Sequence, residues 1–346
     1  MTLPHVAIAI LNFNGKKYLE AYLPSVMAGT YPNKSIWVID NQSTDDSLAF
    51  LLAEYPTINV VVNKGNIGFA AGYNQGLKEI NADYYLLLNS DVEVTAGFID
   101  PVIALMESDQ SIAFAQPKVR WLRNRELFEY AGAGGGTMDA LGYPFCRGRV
   151  LETLEKDEGQ YDDTAPIFWA SGACMFARAA VYRQLGGMYE FYYMQNEEID
   201  LCWRAQNLGY KIFVCGNSTV YHLGGGSLEW TNPRKTFFTF RNNLVMNTRN
   251  MPTGRLLWLL PLRIALDTVA ALRYIFTGKA NIGWAVFRGI FAYLKWLITG
   301  AGSDNMKQAK WPVKRGLKKC SGVFKGSIVW NYFMKKKRTY NELAKR

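Results

Sequence analysis

Several places in this 346-residue chain combine residue types that could do chemistry. Asn89-Ser90-Asp91 closes an apolar run over residues 84–88, which puts the Asp91 carboxylate at the carboxyl end of a strand. There it can hold a hard divalent cation, which takes oxygen ligands and keeps waters and substrate phosphates, or it can simply make a turn. Asp40 ends another such run and carries the same two readings. His222 stands in Tyr221-His222-Leu223-Gly224. It is either a metal ligand, which needs a partner on its other ring nitrogen, or a turn or core residue. Glu197-Glu198-Ile199-Asp200-Leu201-Cys202-Trp203-Arg204 opens a helix with its acids at the amino end, where the helix dipole favours them. Asp200 and Arg204, four apart, can pair on one face. The aromatic lead-in Phe191-Tyr192-Tyr193-Met194 suggests acids held in an apolar wall, which raises a carboxylate's pKa. That suits a general base near neutrality; a solvated charged face is the alternative. In the run Asn66-Ile67-Gly68-Phe69-Ala70-Ala71-Gly72, small residues permit close backbone approach, and the helix it opens offers N–H groups to phosphate. Helix–sheet packing would use the same glycines.

These groups need a scaffold, and the first 120 residues read as one. Strands are predicted over residues 6–11, 35–40, 59–62 and 84–88, with helices over 16–27, 45–55 and 70–80. Strands separated by such helices indicate βαβ units and a parallel sheet covered on both faces. Ligands then sit beyond the carboxyl ends of the strands, where Asn12-Phe13-Asn14, Asp40-Asn41, residues 63–68 and Asn89-Ser90-Asp91 all fall. Residues 120–165, with seven scattered glycines, read as irregular and mobile.

Charge and texture change towards the carboxyl end. Residues 307–346 carry thirteen Lys and Arg against Glu342 alone, so they supply +12 of a net +10 and leave the rest slightly acidic. Such a tail suits an anionic partner, a lipid surface or nucleic acid, unless it is merely solvated. In a helix beginning near Arg255, the charges Arg255, Arg263, Asp267 and Arg273 share one third of the circumference. Pro261 should kink it. A second helix over 284–298 mixes Arg288 and Lys295 with Trp and Phe. Helices of this kind lie in a membrane interface or pack on a protein body. The division expected is a catalytic domain over 1–254 and a helical, polybasic, membrane-associating extension over 255–346.

With 49% apolar and 20% charged residues, the chain is neither disordered nor fibrous. Its start lacks the features of a secretory signal, and no uncharged apolar run reaches about 18 residues. Five cysteines without a CxxC spacing read as reduced core thiols of a cytoplasmic protein.

Taken in order, the motifs resemble the family 2 glycosyltransferases of the GT-A fold, especially bacterial rhamnosyltransferase-like enzymes. The resemblance runs over roughly residues 5–250. It rests on Val6-Ala7-Ile8-Ala9-Ile10-Leu11-Asn12-Phe13-Asn14, Ile39-Asp40-Asn41-Gln42-Ser43-Thr44-Asp45 and the Asn66–Gly76 loop. It continues through Asn89-Ser90-Asp91, Trp169-Ala170-Ser171-Gly172-Ala173, residues 197–204 and Tyr221-His222-Leu223-Gly224-Gly225-Gly226-Ser227. It implies a nucleotide-diphospho-sugar transferase: a mixed, mainly parallel sheet flanked by helices. Asn12, Phe13, Asn14, Asp40, Asn41, Asn66, Gly68, Phe69, Asn89 and Ser90 would hold the nucleotide sugar. Asp91 and His222 would hold Mg²⁺ or Mn²⁺. Glu198, or its neighbour Glu197, would be the base, and Trp169, Ser171, Gly172, Trp203 and Arg204 would lie on the acceptor side. Two departures stand out. The usual DxD triplet reads Asn89-Ser90-Asp91, and the usual Glu-Asp pair reads Glu197-Glu198.

The reaction so implied is an inverting transfer, from a nucleoside-diphosphate sugar such as dTDP-rhamnose or a UDP-sugar, to a glycan or lipid-linked hydroxyl. Its expected place is the inner face of a bacterial membrane, in cell-surface polysaccharide synthesis. A nucleotidyltransferase, or a non-catalytic sugar or nucleic-acid binder, is the rival reading. The first lacks a basic phosphate-gripping motif in the first strand–helix turn. The second would not need Asp91, Glu198 and His222 together, and no nucleic-acid partner is expected.

Overall fold

Residues 2–224, 232–299 and 316–345 are described by a computed structural model of the chain. Its amino-terminal half is the predicted set of βαβ units. β1 (Val6–Asn12), β2 (Lys34–Asp40), β3 (Asn59–Val62) and β4 (Tyr84–Asn89) pair in parallel in the order β3-β2-β1-β4. The continuous aliphatic run of β1 is buried on both faces, as strands between two helical layers must be. Val6, Ile8 and Ile10 enter one core, while Ala7 and Ala9 enter the other. The intervening helices are α1 (Lys16–Met27), α2 (Ser47–Glu54) and α3 (Phe69–Gly76). The register aligns Asn12 with Asp40 and Leu11 with Asn89, so the polar strand ends lie side by side.

Beyond β4 the sheet becomes mixed. After β5 (Val92–Val94) and α4 (Ile99–Ser108), the long β6 (Ile112–Trp121) joins the sheet, with β7 (Asn124–Phe128) antiparallel on it. The second sheet uses β8 (Gly136–Asp139), β9 (Pro144–Cys146), β10 (Arg149–Val150) and β11 (Thr153–Leu154). The chain then returns through β12 (Thr164–Pro166) to β13 (Cys174–Arg178), which inserts antiparallel between β4 and β6. After α5 (Ala179–Gln184) and α6 (Glu197–Leu208), β14 (Lys211–His222) runs parallel to β6 and antiparallel to β5. Register pairs His222 with both Val92 and Trp121, which brings it beside Asp91.

Residues 120–165 are not the irregular stretch that their glycines suggested. They form β7 to β11, and buried glycines hold this layer against the main sheet. Gly136 packs against the indole of Trp169 with no room for a Cβ, and Gly148 packs on Phe128. The strands are only two to five residues long, too short for a legible alternation.

The remainder is helical: α7 (Pro233–Asn250), α8 (Thr253–Phe276) and α9 (Ala280–Thr299). α8 runs unbroken through Pro261, which lies on its exposed side. Of the charges expected on one face, Arg263 and Asp267 turn inward, while Arg255 is half-buried and Arg273 exposed. Arg263 and Asp267 are buried, where Arg263 donates to the Leu141 carbonyl and to Asn243, and Tyr143 donates to Asp267. Residues 307–315, with four of the tail's basic residues, lie outside the described residues. The described part of the tail returns to the body: β15 (Val323–Phe324) pairs with β8, and Ile328, Tyr332 and Leu343 pack with Phe145 and Val150. The five cysteines are free thiols, four of them buried.

Gly136→Ala is expected to cost about 1–3 kcal/mol, because the added methyl must displace the Trp169 ring. A lower urea midpoint at unchanged slope would show it; an unchanged midpoint would contradict the packing described.

Candidate active site

The strand ends build one side of the site. The Asn12 amide donates to Asp40 Oδ2 (2.8 Å) and to Ser43 Oγ (3.1 Å). The Ser43 backbone N–H and hydroxyl both donate to the Asp40 carboxylate. Asn41 donates to the Gly68 carbonyl and accepts from Asn63. Asp40 and Asn41, expected to hold a nucleotide, are thus buried and committed to protein partners that shape the loops. Asn12 retains one buried oxygen, Oδ1, without a protein partner, next to Gly15. Phe13, Asn14 and Asn66 are exposed, while Phe69, Asn89 and Ser90 are partly exposed.

The Asn66–Gly72 loop behaves differently from expectation. The first N–H groups of α3, on Phe69 and Ala70, donate to the Tyr193 carbonyl at 2.7 and 3.4 Å, so they are not open to phosphate. Gly68 has φ +90°, and a Cβ there would lie 2.5 Å from the Tyr193 ring. Glycine is needed at this point for both reasons.

At the end of β4, Asp91 Oδ1 lies 3.2 Å from His222 Nε2. The other ring nitrogen, Nδ1, faces Glu129 Oε2 at 3.4 Å. The Leu223 N–H donates to the Asp91 carbonyl and the Leu122 N–H to that of His222, which fixes both segments. Burial alone would lower the His222 pKa, but Asp91 and Glu129 raise it to about 10. Burial opposes ionisation of Asp91, yet the His222 charge holds its carboxyl below the usual range. Lys235, near the start of α7, is close enough for Glu129 and Asp91 to act on its charge. Among the described residues no three His, Cys, Asp or Glu side chains form a metal cage by themselves. Once a cation displaces the His222 proton, Asp91 and His222 offer one oxygen and one nitrogen, with Glu129 orienting the imidazole from behind. This donor set fits a divalent ion that takes its other ligands from phosphate and water. Glu129 has no sequence signature, since β6 and β7 bring it there from a glycine-rich region.

The acids at the head of α6 follow a strained turn. Tyr193, Gln195 and Asn196 all have positive φ, at 63°, 70° and 72°. Non-glycine residues in such conformations cost about 1–3 kcal/mol each and persist only where surroundings impose them. Here α7 imposes them. The Asn242 amide donates to the carbonyls of Tyr192 (3.0 Å), Met194 (2.7 Å) and Gln195 (2.7 Å). Arg241 donates to those of Phe191 and Tyr192. The turn delivers Glu197, buried, and Glu198, half-buried, each with one enclosed carboxylate oxygen lacking a protein partner. Burial raises the Glu198 pKa to about 7. Burial and the adjacent Glu198 charge push Glu197 well above the ordinary carboxyl range.

The segment 169–173 links the acids to the strand ends. A Cβ on Gly172 would lie 3.4 Å from the Phe69 ring and 3.8 Å from Glu198 Cβ, and the Ala173 carbonyl accepts from the Asn89 N–H. Trp169 and Ser171 are buried, donating to the carbonyls of Thr137 and Ala131. Trp203 and Arg204 do not face an acceptor. Trp203 is fully enclosed against Phe168, and Arg204 is spent on Asp200 and the carbonyls of Leu185 and Gly187. Their place on the inner face of α6 follows from the helical period, three and four residues after Asp200.

The family model for glycosyl transferase family 2 matches residues 7–185, more than half of the chain. The chain belongs to that family. It is 25% identical over 239 residues to the N-acetylglucosaminyl-diphospho-decaprenol L-rhamnosyltransferase of Mycobacterium tuberculosis, covering 64% of this chain and 76% of that one. It is 24% identical over 294 residues to the low-salt glycan biosynthesis hexosyltransferase Agl10 of Haloferax volcanii, covering 84% and 86%. Among solved structures, GalNAc-T7 with UDP, GalNAc and Mn²⁺ aligns with a TM-score of 0.57 at 16% identity. That alignment covers 90% of this chain, which spans 59% of the length of GalNAc-T7. The mannosyltransferase PcManGT of Pyrobaculum calidifontis, in complex with GDP-Man and Mn²⁺, gives 0.53 at 12% identity, covering 85% and 88%. These likenesses establish the GT-A fold for this family 2 chain.

Asn242→Ala would leave the carbonyls of Met194 and Gln195 without their donor and that of Tyr192 with Arg241 alone. A loss of about 1–3 kcal/mol in urea unfolding is expected, the range for buried polar groups left unpaired. Stability equal to that of the parent chain would show that α7 does not impose the turn.

Proposed function

We propose that the chain is an inverting glycosyltransferase, moving a sugar from a nucleoside-diphosphate sugar to a hydroxyl of a glycan or lipid-linked acceptor. A rhamnosyl or other hexosyl donor, dTDP- or UDP-linked, suits the resemblance to the mycobacterial rhamnosyltransferase and the archaeal hexosyltransferase. The expected setting is the inner face of a membrane, in the synthesis of a surface polysaccharide.

The observation that carries this reading is the continuity of the site across the 171–173 turn. Glu198 adjoins Gly172, and Ala173 is hydrogen-bonded to Asn89, two residues before Asp91. A carboxylate poised near pH 7 and a cation-type donor pair are therefore presented by one continuous wall. A nucleotidyltransferase would have no use for the first of these.

Roles follow residue by residue. Phe13, Asn14, Asn66, Phe69, Asn89 and Ser90 present the accessible groups for the nucleotide sugar, with Asn12 Oδ1 beneath them. Asp40, Asn41 and Gly68 act by shaping the loops. Asp91 and His222 would hold Mg²⁺ or Mn²⁺ at the diphosphate. When bound, such an ion offsets the charge that develops on the leaving nucleoside diphosphate. Glu198 accepts the proton of the attacking acceptor hydroxyl. Glu197, kept protonated by burial, supplies an uncharged wall. Gly172 keeps the acceptor side open between Phe69 and Glu198.

Two experiments test the assignment. In the first, release of free nucleoside diphosphate is followed with a panel of sugar nucleotides and Mn²⁺. Asp91→Ala should abolish metal-dependent turnover while leaving far-UV circular dichroism unchanged. Full turnover of this variant in a chelator would remove Asp91 from the metal side. The second concerns the base. Glu198→Gln should slow transfer by at least about 10²-fold with donor binding retained, whereas Glu197→Gln should be nearly silent. Because the base works deprotonated, the parent rate should rise with pH through about 7 and fall below it. The reverse pattern for the two glutamines would move the role to Glu197.

A further inference from the structure

α8 turns its central charged pair inward, and α9 is apolar on its inner face and largely apolar on its outer one, an unusual arrangement for helices facing water. Of the eighteen large apolar side chains exposed among the described residues, ten fall in these two helices. Trp258, Val269 and Phe276 recur along the outer stripe of α8, with Phe276 84% exposed. Trp284, Phe291 and Ile298, spaced seven apart on the outer face of α9, are 64%, 65% and 83% exposed. Meanwhile the charged pair Arg263 and Asp267 of α8 points inward at 1% exposure.

The charges left outside are of one sign. Asp267 is the single acid in residues 253–299, and it is buried. Arg273, Lys279, Arg288 and Lys295 are exposed, the last two standing between the apolar side chains of α9. The sequence continues into Lys307, Lys310, Lys314 and Arg315. No helix among the described residues is long and apolar enough to cross a membrane. An apolar stripe interleaved with positive charge matches a surface that is oily below and anionic above.

We infer that the outer face of the α8–α9 hairpin is the surface by which this protein lies in an anionic lipid bilayer. The partner is the bilayer itself. The inference rests on the transferase reading only for its purpose, which is to present the acid side of the site to a lipid-linked acceptor. α9 is one helix thick, and its inner face places Trp296 against Phe191 and Gly289 against the backbone of Phe237 and Arg241. The lipid-facing stripe therefore lies directly behind the turn that carries Glu197 and Glu198. An acceptor anchored in that bilayer would have its first sugars held at the height of the site.

The test uses the full chain and vesicles of phosphatidylcholine with and without phosphatidylglycerol. Sedimentation should show binding to the anionic vesicles that weakens with salt yet keeps a salt-resistant part, with a blue shift of tryptophan emission. Trp284→Glu with Phe291→Glu should reduce binding at least tenfold without lowering the melting temperature, since both side chains are exposed. Arg288→Glu with Lys295→Glu should remove the low-salt gain alone. The proposal is overturned if the parent chain ignores anionic vesicles at low salt, or if the Trp284/Phe291 variant binds like the parent. It is equally overturned if the parent is a dimer that these two substitutions dissociate, for then a second copy covers the face. Release of nucleoside diphosphate in the absence of lipid is measured in parallel. Its failure would sink the transferase reading and leave the vesicle result standing, and the converse also holds.

Discussion

The buried carboxylate of Asp200 is the interaction on which the acid side of the site depends. It accepts from Arg204 (2.7 Å), Asn250 (2.7 Å) and the Tyr192 hydroxyl (3.1 Å), with Arg249 at 3.4 Å. Burial would favour its neutral form, but the Arg249 and Arg204 charges outweigh that and hold its pKa below the usual range. Arg204 at the same time gathers the carbonyls of Leu185 and Gly187. One anion therefore ties α6 to α7 and to the segment between α5 and α6. Removing one partner of such a buried group leaves an uncompensated charge, which costs far more than the pair itself contributes. Glu197 and Glu198 lie within one helical turn of this anchor, so their burial is set by it.

The amino-terminal scaffold was legible because its signals are local. A buried parallel strand announces itself as an unbroken aliphatic run, and the polar strand ends follow from where those runs stop. Asp91 could be singled out because it follows such a run, Glu198 because acids open a helix after an aromatic stretch, and His222 because it stands before a glycine turn. Glu129 could not, since it meets His222 only through the antiparallel return of β7 onto β6. Asn242 and Asn250 were equally hidden: asparagine in a helix reads as solvent-facing, and their partners lie about fifty residues away. The orientation of α8 was undetermined for another reason. Periodicity places charges on one face but does not say which face meets water.

The two sides of the site are stabilised by different physics. Around Asn12, Asp40 and Asn41, side chains bond to loops adjacent in the sheet, and the backbone is set by strand register. Around Tyr193, Gln195 and Asn196, the backbone is strained and is held from a distant helix by Arg241 and Asn242. The sides meet where the Tyr193 carbonyl takes the first N–H groups of α3, and where Asn89 donates to Ala173. The contact at Tyr193 also explains why the glycine loop is not free to act as an anion cradle. Its donors are consumed in joining the halves.

The same economy explains the inverted hairpin. Arg263 of α8 donates to Asn243, whose amide donates to the Gly142 carbonyl beside the second sheet. Asn243 is the neighbour of Asn242, so the inward charge of α8 braces the segment of α7 that clamps the strained turn. With that pair turned inward, the outside of α8 is left mainly to apolar side chains, with Arg273 among them. In water that face would be a liability, since contiguous exposed apolar surface promotes association. Against lipid it is matched. The geometry of the acid side and the apolar outer surface are therefore two consequences of one arrangement, in which Arg263 and Asp267 of α8 and the asparagines of α7 are drawn inward to hold a strained backbone.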